Sequence, residues 1–172
     1  MPFEELDVSK YERAIFWFRR DLRLEDNKAL HEALTNSKEI IPIFIFNPNF
    51  LEDLEKRADR LGFVVSALKH LEAKINQKGG RLYTFYGEPK EIFLEILKTS
   101  KAQAIFTNKE LSFSEEKIVE EVLTLCTSIG IAYHAYMGNF LCDITKLPYK
   151  KVFSSFFKEW IKNIDFSVHP EP

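Results

Sequence analysis

The chain is 172 residues long, 45% of its residues are hydrophobic and 29% are charged, and its net charge is −2. This balance predicts one globular domain and excludes a strongly basic, nucleic-acid-binding composition. The two cysteines are too few for a disulfide framework, and the four scattered histidines form no metal-ligand pair. The polar N-terminus does not resemble a signal peptide, and the longest apolar run, residues 40–46, is too short to span a membrane, so we expect a cytoplasmic protein.

Apolar runs of strand length alternate with segments of helical periodicity along the chain. The predicted elements are a strand at 14–19, a helix at 25–36, a strand at 39–47, a helix with apolar positions from Leu61 to Ile75, a strand at 82–86, a helix from Pro89, a strand at 104–107, a helix at 114–129 and a strand at 131–137. Asn27 and Ser114 are predicted helix caps, and residues 47–49 a turn. Pro42 is expected near the start of its strand, because proline disrupts a central strand.

The alternation predicts an α/β fold, a Rossmann-like five-stranded parallel sheet of order 3-2-1-4-5 with helices on both faces. In such a sheet the order reverses between the first and fourth strands, and ligands bind where the order reverses, at the carboxyl ends of the strands. The predicted crevice therefore lies between the loop at 20–26 and the loop at 108–113.

The first of these loops is rich in charge. Arg19, Arg20, Asp21 and Arg23 follow the first buried strand, and guanidinium groups suit phosphate and carboxylate ligands. The alternative is that Asp21 and Asp26 pair with these arginines and hold the loop in place. We favour internal pairing for most of them, with one arginine left to face the crevice.

The second loop contributes Asn108, Lys109 and Glu110, and Glu115 follows in the next helix. These side chains are suited to polar recognition of a heterocycle or its tail. A solvated loop followed by a capping turn is the alternative. No glycine-rich phosphate loop follows the first strand, and neither catalytic residues nor a metal site is predicted.

Residues 17–27 closely resemble the opening of the DNA photolyase/cryptochrome family, whose pattern is W-F-R-R-D-L-R-L-x-D-N. The similarity continues at Arg60, Phe63, Ser66 and Leu68, at residues 79–82 and 87–89, at Asn108, and at Pro148, Tyr149, Val152, Phe153 and Phe156. The resemblance implies an N-terminal extension at 1–12, the α/β domain of a photolyase at 13–137, and an interdomain linker at 138–172 leading toward an absent helical flavin domain.

The resemblance also implies a function. Family members repair pyrimidine dimers in DNA with blue light, or signal light, and many bind an antenna chromophore in this domain: methenyltetrahydrofolate, a deazaflavin or FMN. FAD is expected only on the helical domain, which would be this chain's partner. DNA would be contacted through that domain. The chain would then be the antenna domain of a deoxyribodipyrimidine photolyase, passing excitation to that flavin and inactive alone. Glu115 matches a glutamate that contacts the pterin in folate-binding members, whereas Ser114 replaces an asparagine and Ser155 a proline.

Three other functions stay open. A stand-alone nucleotide- or cofactor-binding α/β module, related to adenine-nucleotide-binding stress proteins, would use the same crevice without photochemistry. A cryptochrome-type domain would signal light. The aromatic and basic segment at 149–162 is expected to be solvated or interdomain, although it could also contact nucleic acid or make the chain an interaction domain.

Overall fold

The computed structural model describes residues 10–55, 58–110, 113–138 and 140–166, apart from the side chains at 53–55, 58 and 113–115. In chain order its elements are β1 (Tyr11–Phe18), α1 (Lys28–Asn36), β2 (Ser37–Phe46), α2 (Pro48–Glu55), α3 (Ala58–Gln77), β3 (Tyr83–Tyr86), α4 (Pro89–Ser100), β4 (Ala104–Asn108), α5 (Phe113–Ser128), β5 (Ala132–Tyr136), a 3₁₀ turn (Ile144–Lys146) and α6 (Phe153–Lys162).

The sheet has the predicted topology. Its five strands are all parallel and lie in the order β3-β2-β1-β4-β5, so the predicted fold class and strand order are confirmed. The central strand β1 is buried on both faces, because right-handed crossovers place helices on each side of a parallel sheet.

Alternation along β1 divides the interior into two cores. Phe16 and Phe18 face α1 and α3 together with Phe44, Leu71 and Phe106. Ile15 and Trp17 face α4 and α5, where they pack with Ile43, Phe93 and Val122. The side-chain period of two therefore gives each face of one strand its own hydrophobic core.

Three local predictions were wrong. The expected turn at 47–49 is the start of α2: the Asn47 side chain caps the helix and Pro48 occupies its first position. Pro42 lies in the middle of β2, paired with Phe16, but β3 begins opposite Ile43, so β2 has a neighbour on one side only at the proline. Helix α5 begins at Phe113, which places Ser114 inside the first turn and not at the cap.

The segment after β5 leaves the sheet. It contains the 3₁₀ turn and α6, on which Phe153, Phe157 and Trp160 form a stacked row with ring centroids 5.9 and 5.8 Å apart. Phe153 and Phe157 remain exposed. Among the described residues, no helix combines the length and apolar character needed to cross a membrane.

The core facing α4 and α5 can be tested at one helical position. Phe93 is fully buried against Trp17, with ring centroids 5.0 Å apart, whereas its neighbour Leu94 is exposed. We expect Phe93→Ala to lower the free energy of unfolding by about 3–5 kcal/mol, because it leaves a cavity in the core. Leu94→Ala should cost less than about 1 kcal/mol. Urea denaturation of both variants measures the two values, and equal losses would contradict this assignment of the helix face.

Candidate functional site

The loops that follow β1 and β4 meet at the carboxyl end of the sheet, as predicted. The Asn108 amide donates a hydrogen bond to the Asp21 carboxylate. Arg20 Nε lies 3.9 Å from a Glu110 carboxylate oxygen. Two pairs of side chains, one buried and one partly exposed, therefore join the predicted crevice loops.

The buried pair belongs to a cluster that also includes Asn27. Asn108 Nδ2 donates to Asn27 Oδ1 at 2.8 Å, and Asn27 Nδ2 donates to Asp21 Oδ2 at 3.3 Å. The same two asparagines accept hydrogen bonds from the first turn of α1, at Ala29 N and Leu30 N. Asp21, Asn27 and Asn108 thus fill the crevice between β1 and β4, and their polar atoms are used inside the protein.

Burial sets the electrostatics of this cluster. It raises the pKa of the Asp21 carboxyl, and the hydrogen bond from Asn108 opposes part of that rise. The carboxylate also accepts the backbone N–H of Arg19 at 3.4 Å. The internal interpretation of Asp21 is therefore favoured: the amides of Asn27 and Asn108 donate to its carboxylate, and the charge of Arg23 also acts on it.

Arg23 also serves the fold. Its guanidinium donates to the backbone carbonyls of Glu25 at 3.1 Å, Asp26 at 3.0 Å and Gly138 at 3.1 Å. These bonds fasten the loop after β1 to the start of the segment that follows β5.

A cavity of about 210 Å³ lies at the carboxyl ends of β1 and β2, and we call it the β1–β2 cavity. Its lining includes Trp17, Arg19, Arg20, Asn47, Phe50 and Ile118. The wall therefore combines aromatic and apolar surface with two guanidinium groups and the side-chain amides of Asn47 and Asn49, a composition typical of sites for small organic ligands.

Arg19 is a fixed part of this wall. It is only 8% exposed, and its guanidinium lies 4.8 Å from the centre of the Trp17 ring, within cation–π distance. Burial raises the pKa of the nearby Tyr133 to about 12, and the charge of Arg19 limits that rise. By contrast, the Arg20 side chain is about half exposed. The structure thus supplies one ordered cation inside the cavity and one at its solvent side.

A second cavity of about 610 Å³ lies on the other side of the Asp21 cluster, beside the end of β5. Lys109 lines it together with Arg23, Lys28 and residues of the segment at 140–146. The structure therefore separates Lys109 from Arg19 and Arg20, which the sequence had grouped into one crevice. The side chain of Glu115 lies outside the described part of the chain.

Sequence reasoning did not identify Asn47, Phe50 and Ile118 as residues of a site. The available signal was Asn47 itself, which stands at the carboxyl end of a buried strand. Because residues 47–49 were assigned to a turn, this signal was not used. Assigning Asn47 and Pro48 to the start of a helix would have placed the Asn47 side chain at this edge of the sheet.

The sequence profile of the DNA photolyase family matches residues 14–172. This chain belongs to the DNA photolyase family. It is 26% identical to the blue-light photoreceptor PHR2 of Arabidopsis thaliana over 80% of this chain and 32% of that protein. It is 28% identical to cryptochrome DASH of Xenopus laevis over 79% of this chain and 27% of that protein.

A solved structure gives the same placement within the family. The archaeal photolyase from Sulfolobus tokodaii superimposes with a TM-score of 0.84 at 29% identity, over 92% of this chain and 36% of that one. That photolyase is described as containing two FAD molecules, with the implication of a novel light-harvesting cofactor. This chain thus spans about a third of the length of these photolyase-family proteins.

The buried carboxyl predicts a pH dependence. Because burial raises the pKa of Asp21 above its ordinary 3.8, its contribution to stability is complete below that pH and is lost as the pH rises through the folded value. The advantage of the wild type over Asp21→Asn in free energy of unfolding should therefore shrink between about pH 4.5 and about pH 7.5. Urea denaturation at the two pH values measures it.

Asp143 provides the matched control for this experiment. The hydrogen bond from Thr145 lowers the pKa of Asp143, so its contribution is lost only as the pH falls below 3.8. The difference between the wild type and Asp143→Asn should stay nearly constant over the same interval. A parallel response of both variants would mean that Asp21 is not the titrating group.

Gly138 packs against the cluster and gives a steric prediction. A Cβ at this position would lie 2.6 Å from Asn108 Cγ, and Asn108 is held by three partners. We expect Gly138→Ala to lower the free energy of unfolding by about 1–3 kcal/mol, because the amide must move. Gly62→Ala is the control: a Cβ there meets nothing within 4 Å on helix α3, so stability should rise by about 0.5–1 kcal/mol. Thermal denaturation of both variants tests the pair.

Proposed function

We propose that this chain is the antenna-binding N-terminal domain of a photolyase-type protein. It holds a light-harvesting chromophore and passes the excitation to a flavin on a helical domain, which repairs pyrimidine dimers in DNA. The observation that carries the proposal is the β1–β2 cavity, with its aromatic wall and two arginines at the carboxyl edge of the sheet.

The size of the cavity favours a ring system as its occupant. Pockets for whole drug-sized ligands measure about 300–1,000 Å³. The 210 Å³ here suits a fused heterocycle whose tail continues toward solvent. Trp17, Phe50 and Ile118 would cover the ring faces and exclude water.

The two arginines would contact different parts of the ligand. Arg19, stacked on Trp17, would fix the plane of the bound ring and hold a positive charge beside it. Arg20 lies at the solvent side, close to Glu110, where it can reach a phosphate or carboxylate on the tail. The ligand that fits both groups is an anionic heterocycle, which describes a flavin nucleotide, a deazaflavin derivative and a folate.

Among these chromophores a flavin is favoured. The archaeal photolyase, which shares this fold at 29% identity, contains two FAD molecules, with the implication of a novel light-harvesting cofactor. Methenyltetrahydrofolate remains a candidate through Glu115, and a deazaflavin through the same cavity. The chromophore's contribution when bound is absorption of blue or near-ultraviolet light, and the protein's contribution is to bind it rigidly.

The remaining proposals concern partners and relatives. Residues 138–172 would lead into the helical FAD-binding domain, which would contact DNA, and the exposed aromatic row of α6 suits packing between domains. The similar proteins include a blue-light photoreceptor, a cryptochrome and a photolyase. The cryptochrome-type alternative therefore applies to the same site and differs in what the acceptor flavin does.

The binding test uses the 172-residue chain with four separate titrations, of methenyltetrahydrofolate, a deazaflavin, FMN and ATP, followed by absorbance and fluorescence. We expect saturable binding of FMN with a shifted spectrum. Arg20→Ala should weaken FMN binding about fivefold, as expected for one partly exposed ion pair, and leave riboflavin, which lacks the phosphate, unchanged.

Arg81→Ala is the control for this variant. Arg81 is exposed and precedes β3, at the amino ends of the strands, whereas the cavity lies at their carboxyl ends. Binding of ATP alone would replace the antenna proposal with the nucleotide-binding module. Equal weakening of FMN and riboflavin would mean that Arg20 acts on the cavity and not on the phosphate.

A further inference from the structure

Asn47 is the first residue after β2 and forms part of the wall of the β1–β2 cavity. It is 6% exposed. Its side-chain oxygen accepts hydrogen bonds from the backbone N–H groups of Asn49 at 2.8 Å and Phe50 at 3.3 Å, in the first turn of α2. These two bonds fix the orientation of the amide, since exchanging its oxygen and nitrogen would set donor against donor.

The nitrogen of the same amide differs from the oxygen in its hydrogen bonding. Asn47 Nδ2 is buried and has no hydrogen-bond partner among the described residues. A buried donor left in this state lowers stability, and native proteins seldom retain one without a reason. Capping does not supply the reason, because aspartate and serine cap helices as well as asparagine and would leave no amide donor behind.

We propose that Asn47 determines ligand specificity in the β1–β2 cavity, by donating from Nδ2 to a ring that presents a hydrogen-bond acceptor. The chemical class is a heterocycle with a carbonyl oxygen or an unprotonated ring nitrogen at the edge that faces the end of β2. This inference rests on the proposed antenna site and adds which edge of the ring is recognised.

The same geometry explains why Asn47 would both cap α2 and recognise the ligand. The cap bonds hold the amide in place before any ligand arrives, so little conformational entropy is lost when the donor is engaged. A ring that presents a donor at this point would leave two donors facing each other in a buried position and would be rejected.

The test is Asn47→Asp in the 172-residue chain, with riboflavin as the probe because it carries no phosphate to be repelled by the new charge. Aspartate preserves the cap and replaces the donor with an acceptor. We expect riboflavin binding to weaken about 10- to 100-fold, as for the loss of one buried hydrogen bond, while the thermal midpoint stays at the wild-type value. Asn76→Asp, on the exposed surface of α3, makes the same chemical change away from the cavity and should leave riboflavin binding unchanged.

The outcomes distinguish failure of the antenna proposal from failure of the inference about Asn47. Absence of riboflavin and FMN binding in the wild type would overturn the antenna proposal and this inference together. Wild-type binding with equal affinity in Asn47→Asp would overturn the inference alone. If Asn47→Asp lowers the thermal midpoint, Asn47→Ser decides: lost binding with a wild-type midpoint supports the donor role, and any other combination overturns it.

Discussion

The hydrogen-bonded cluster of Asp21, Asn27 and Asn108 is the interaction that holds together the loops at the carboxyl ends of the central strands. It joins the loop after β1, the first turn of α1 and the end of β4, and all three side chains are buried. A buried carboxylate is tolerated there because amide donors surround it. The amide hydrogen bonds and the charge of Arg23 offset only part of the desolvation penalty, so burial raises the pKa of Asp21.

This cluster also separates the two cavities at the carboxyl ends of the strands. By filling the point where the strand order reverses, it leaves one cavity beside β2 and another beside β5. The cavity beside β2 has Arg19, Arg20 and the aromatic wall, and the other carries charges of both signs. Fold-level reasoning pointed to the carboxyl ends of the strands, where both cavities lie, whereas the hydrogen bonds of three side chains determine which part of that edge remains open.

Periodicity was sufficient to predict the fold, because buried parallel strands and amphipathic helices leave strong patterns and the crossover rule then restricts the strand order. The convergence of Asp21 with Asn108, and of Arg20 with Glu110, followed from that topology. The sequence could not distinguish a polar side chain that binds its neighbours from one that faces a cavity, since Asp21 and Arg19 stand two positions apart and differ in this respect. Asn47 escaped notice because Asn-Pro is a signal for turns and for helix starts alike.

The stacking of Arg19 on Trp17 has a consequence for the proposed photochemistry. Trp17 is held edge-on by Phe93 in the core at an interplanar angle of 77°, so the plane that supports a bound ring is set by the hydrophobic interior. Energy transfer between two pigments depends on the angle between their transition dipoles as well as on their separation. In an antenna domain, the packing of one phenylalanine against one tryptophan would thus help to set how efficiently captured light is transferred to the second pigment.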